Sequence, residues 1–117
     1  MTTESENLNP RTGPAWKAPW FEVTDSVHKA AIQKELALEI GPEHPLWRTD
    51  PCVLGARQDC DDVATKLADG RFAIVHPVWH GHVDQFPKQF PSTTILANLS
   101  ELQFRIDRDA AEWNDQE

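Results

Sequence analysis

No tyrosine occurs in the chain, and cysteine, methionine and glycine contribute two, one and five residues. Each shortage removes a class of protein. Two cysteines cannot staple a small secreted scaffold. Cys52 and Cys60 stand at the start and just beyond the end of one expected strand, where extended geometry holds them apart, so both read as free thiols. The five scattered glycines build no phosphate-cradling loop. Lys and Arg number 11 against 19 Asp and Glu, a formal charge of −8, and no basic cluster is present to neutralise nucleic-acid phosphates. No apolar run approaches the roughly 18 residues of a membrane span. The start, from Met1 to Asn7, has neither the basic nor the apolar region of a secretory signal. A cytoplasmic protein is expected.

What is present centres on residues 71–98, which hold three of the five histidines and three of the five phenylalanines. This stretch reads as a strand, a His-rich loop punctuated by Gly and Pro, and a second strand. The preceding residues 1–15 are polar and broken by Pro and Gly, and they predict a disordered acidic tail ahead of one domain at 16–117. Trp16, Trp20 and Phe21, interrupted by Pro19, read as an extended aromatic arm that either plugs the core or anchors a partner. A helix is expected from about Ser26 to Ile40, capped by Asp25 or Thr24 and stopped by Gly41-Pro42. Its apolar residues fall in two stripes, which predicts neighbours on both sides.

Residues 52–57 read as the first strand. Asp59 is expected to cap a short helix from Asp61 to about Ala68, ended by Gly70, and the dipole of that helix accounts for the cluster Asp59, Asp61 and Asp62. The second strand runs from Arg71 to Trp79, with Pro77 forcing an edge or a bulge. The third, Thr93 to Ala97, returns antiparallel. Asn98 with Glu101 starts the last helix, whose stripe is Leu99, Leu102, Ile106, Ala110 and Trp113. Phe104 lies nearly opposite that stripe. The expected fold is α+β, a small three-stranded, mainly antiparallel sheet covered by about three helices in the order α-β-α-β-β-α.

His76, His80, His82 and Asp84 are a candidate zinc set, because zinc takes imidazole nitrogens and carboxylates. On an extended chain His80 and His82 share a face about 7 Å apart, whereas His76 is about 13 Å from His80 unless the chain curls. The competing reading places His76 in a hydrogen bond at the sheet and leaves His80 and His82 as solvated loop residues. Nucleophilic catalysis has no Gly-x-Ser-x-Gly elbow and no Cys–His pattern to support it.

Val75-His76-x-x-Trp79-x-Gly81, followed by Phe90-Pro91-Ser92-Thr93, resembles a family of small bacterial proteins of undefined function. Glu39-Ile-Gly-Pro-Glu-His-Pro-Leu46 and Asp59-Cys-Asp-Asp-Val63 extend the likeness over roughly residues 35–107. The family pattern reads Val-His-Leu-Thr-Trp-x-Gly and then Trp-Pro-x-Thr. This chain carries Pro77-Val78 and Phe90 at the departing positions. The resemblance implies a bacterial cytoplasmic domain and transfers no activity.

Charge, size, missing catalytic motifs and surplus aromatics point to a non-enzymatic acidic binding protein that needs no cofactor. Like an immunity protein, it would neutralise a basic partner such as a toxin or nuclease. The expected partner-binding residues are Trp16, Trp20, Phe86, Phe90 and Phe104, with a second copy of the chain as a further possible partner. The alternative is a zinc-dependent hydrolase built on His80, His82 and Asp84, with His76 as outer ligand.

Overall fold

The computed structural model describes residues 13–115, so the expected disordered tail lies, up to residue 12, outside the described residues. The elements are β1 (Trp20–Glu22), α1 (Ser26–Glu39), β2 (Cys52–Arg57), β3 (Val63–Lys66), β4 (Phe72–His76), β5 (Ser92–Leu96) and α2 (Leu99–Asp115). All five strands belong to one antiparallel sheet in chain order. This corrects the expected three strands and three helices.

Two misread segments account for the difference. Trp20, Phe21 and Glu22 pair with Arg57, Ala56 and Gly55, so the aromatic arm is an edge strand. The segment expected as a helix from Asp61 is β3, with Val63 opposite Val75 and Lys66 opposite Phe72. Asp69-Gly70, with Gly70 at φ 95°, turns the chain between β3 and β4, and Asp-Gly is a strong hairpin signal. The aspartates do not serve a helix dipole. Asp59 forks onto Arg57 at 2.8 Å through both oxygens, and Asp62 Oδ1 lies 2.7 Å from His76 Nδ1.

The sheet is covered on both faces. On one, Ile32, Leu36 and Ile40 pack with Val53, Ala56, Val63, Ala73 and Val75. On the other, Leu102 and Ile106 of α2 pack with Trp20, Ala64, Phe72 and Ile74. The alternation along β4 sends Phe72 and Ile74 to α2, and Ala73 and Val75 to α1. A register shift between Val53 and Gly55 is a bulge, which puts Val53 and Ala56 on the same face. Only one of the two expected stripes of α1 is covered, and Val27 and Leu38 face solvent.

The helix ends follow local rules. Asp25 Oδ1 accepts the amides of Val27 and His28 at 2.8 and 3.2 Å. Asn98 Oδ1 accepts the Glu101 amide at 3.0 Å while Glu101 Oε1 accepts that of Ala97 at 2.7 Å, a near-reciprocal cap. No helix among the described residues is long and apolar enough to cross a membrane.

The helix α2 is tied to β1 and β2 by one buried carboxylate. Asp109, 2% exposed, accepts from the Trp20 indole at 2.9 Å and Arg105 Nε at 3.0 Å, with Arg57 and Arg108 each at 3.2 Å. Arg57 also lies over the Trp20 ring, 5.9 Å from its centroid. Burial alone would raise the Asp109 carboxyl. The indole hydrogen bond and the arginines overcome it and hold that carboxyl below the usual carboxylate range.

Candidate functional site

Helix α1 carries Glu35 and Glu39 one turn apart, beside Ile32 and Leu36 on its covered face. Positions 32, 35, 36 and 39 are the spacing of a single helical stripe, so both carboxylates are driven toward the interior. Glu39 is 1% exposed.

What meets them is the loop that leaves β4. The Val78 and Trp79 amides donate to Glu39 Oε1 and Oε2 at 2.8 and 2.7 Å. The Gly81 amide donates to Glu35 Oε2 at 2.8 Å. Pro77, with no N–H, ends the strand, and the amides after it turn from the sheet ladder to the two glutamates. Trp79 (φ 66°) and Gly81 (φ 77°) both occupy the left-handed region. For a bulky residue such as Trp79 this is an unfavourable conformation that surrounding contacts must impose.

Burial and the neighbouring Glu35 push the Glu39 carboxyl up. Glu35 moves the other way, held down first by its hydrogen bond with Glu39 and then by the Gly81 amide. The two carboxyls are thus driven apart in opposite directions, as coupled neighbours are.

Beyond Gly81 the loop runs alongside α1. Trp79 lines the same small cleft as Phe21, His28 and Ile32, and Phe86 lies near Glu43 past the helix end. Between them Val83 presses on Gly41, where an added Cβ would meet Val83 Cγ2 at 3.0 Å. The result is a row of exposed apolar side chains on the loop: Val78, Trp79 (46% exposed), Val83, Phe86 and Phe90.

The expected metal set does not assemble. His80 and His82 stack with centroids 3.9 Å apart and planes at 5°. Their in-plane lone pairs therefore lie in parallel planes and cannot both point at one ion. His82 Nδ1 is occupied by the Val83 carbonyl at 2.9 Å, and His76 is taken by Asp62. Asp84 Oδ2 instead holds His80 Nε2 at 3.2 Å. Among the described residues the one convergent group of potential ligands is Glu35, Glu39 and His80, whose ligand atoms lie within 4.8 Å of one another. His80 alone is common to both sets. The glutamates were missed because their charge argues for a solvated face. The signal was the i, i+4 spacing inside the apolar stripe.

The expected partner-binding residues separate. Trp20, 2% exposed, belongs to the core with its indole on Asp109, and Trp16 is half-buried against it. Trp20 offers no free surface, and Trp16 offers part of one. Phe86 and Phe90 are exposed on the loop. Phe104 stands 70% exposed on α2, beside a shallow groove of about 360 Å³ that includes Leu96, Arg105 and Arg108.

No family model, no curated protein and no solved structure matches this chain.

Proposed function

We propose that the domain is a non-catalytic binding module for a basic protein, and that its binding face is the 78–90 loop laid along α1. The observation that carries this reading is the Trp79 backbone. Its left-handed conformation is unfavourable in isolation, and the two buried glutamates hold it while the indole stays half in water. Strain of this kind concentrates at functional sites. Tryptophan is the residue most enriched among interface hot spots, and a pre-ordered backbone loses little entropy on binding. A net charge of −8 favours a basic partner and fast, salt-sensitive association. An acidic inhibitor of a basic toxin or nuclease fits these features.

Trp79→Ala tests the reading. The variant is expected to fold as the parent does, since the indole is half in water and its backbone amide still reaches Glu39, and to bind the partner at least about 30-fold more weakly, the equivalent of about 2 kcal/mol. The measurement is retention of a basic protein from the source cell's extract on the immobilised chain at low and high salt, followed by titration of the purified complex. Retention lost at high salt and in the variant is the expected result. Equal binding by Trp79→Ala, or loss on Phe104→Ala instead, would move the face to α2 and overturn the assignment.

A further inference from the structure

We infer that Glu35, Glu39 and His80 form a binding site for one first-row divalent cation of the zinc class, set beneath the Trp79 loop. This goes beyond the partner reading and shares only His80 with the expected His76/His80/His82/Asp84 set.

Three observations carry it. One ligand atom from each residue converges within 4.8 Å. Tetrahedral ligands at about 2.1 Å from zinc sit about 3.4 Å apart, a closure that side-chain rotations of two glutamates and a histidine can supply. The second observation is on His80 itself. An ionised Asp84 Oδ2 can only accept, so the hydrogen lies on Nε2 at 3.2 Å, and in the neutral ring Nδ1 then presents a lone pair. That Nδ1 atom is buried and has no hydrogen-bond partner. Orphaned buried acceptors are uncommon and call for an explanation. An imidazole whose other nitrogen is held by a carboxylate is also the usual outer arrangement of a metal-bound histidine.

The third observation is the donor set. Two carboxylates and an imidazole are ligands that a divalent cation takes together. Each carboxylate keeps free lone pairs after accepting its backbone amides, because an ionised carboxylate has about four acceptor positions. The nitrogen ligand and the small ligand number favour zinc over magnesium or calcium, which prefer six or more oxygens. Three protein ligands leave a fourth position for water or for a donor from the partner.

The test uses the full chain, stripped with chelator, loaded with zinc chloride and desalted. One retained zinc per chain is expected, with a rise in thermal midpoint on loading. His80→Ala and Glu35→Gln should each weaken zinc binding at least tenfold with unchanged far-ultraviolet circular dichroism. Asp84→Asn, which changes the partner of the outer nitrogen while Oδ1 can still accept the Phe86 amide, should cost about 10-fold or more, and His76→Ala should cost nothing. Zinc retained equally by wild type and His80→Ala, zinc lost on His76→Ala, or no retention above background would each overturn the site. The readout needs no partner, so it stands or falls separately from the binding reading.

Discussion

Asp109 and Glu39 solve the same problem in opposite ways. Each is a carboxylate driven inside by its place on a helical stripe. Asp109 stays ionised because an indole N–H and three arginines converge on it. Glu39 meets no Lys or Arg among the described residues; its two oxygens take backbone amides and its carboxyl is pushed up. Asp109→Ala should therefore cost about 3 kcal/mol or more, as breaking a buried ion pair does, measured by urea unfolding. The pH dependence has a definite sign. A carboxyl depressed in the folded state contributes stability that is fully present above its unfolded value of about 3.9 and disappears as pH falls through the folded value. The parent should lose stability in that acid window, and Asp109→Ala should show a shallower loss there. A variant with the parent's acid slope would show that Asp109 does not govern it.

At the scale of elements, the central stretch was largely legible. The strands at 52–57, 72–76 and 92–96 and the helices after Asp25 and Asn98 follow their apolar periodicities and caps to within a few residues. The segment 61–68 was not, because three aspartates imitate the acidic first turn of a helix. The β-branched Val63 and Thr65 and the Asp69-Gly70 turn carried the true signal. The edge strand β1 was hidden because three residues after Pro19 show no periodicity, and pairing with β2 decides their conformation rather than propensity.

The stripe on α2 makes a paired prediction. Trp20→Ala removes a side chain buried between β1 and α2 and also a hydrogen-bond donor to Asp109, so it should cost about 3 kcal/mol or more. Phe104→Ala, on the opposite side of that helix, should leave stability within about 0.5 kcal/mol. Thermal or denaturant unfolding of the two variants would reveal a misplaced helix if their order were reversed.

For the whole molecule, an antiparallel sheet covered by a helix on each face leaves its recognition surface to loops and helix flanks. The acidic balance was readable from composition, but the surface that uses it was not. The relevant geometry joins Glu35 and Glu39 to amides 39–46 positions further along the chain, and no local pattern encodes such a pairing. These two buried glutamates hold an exposed, strained loop in one conformation. Amide hydrogen exchange followed by NMR tests this directly, because exchange reports the opening of individual hydrogen bonds. The Val78, Trp79 and Gly81 amides should be protected like those of the sheet although their side chains face water. In Glu39→Gln the Val78 and Trp79 amides should exchange faster while β3 and β4 stay protected. Loop-like exchange of these amides in the parent protein, or protection unchanged by Glu39→Gln, would contradict the account.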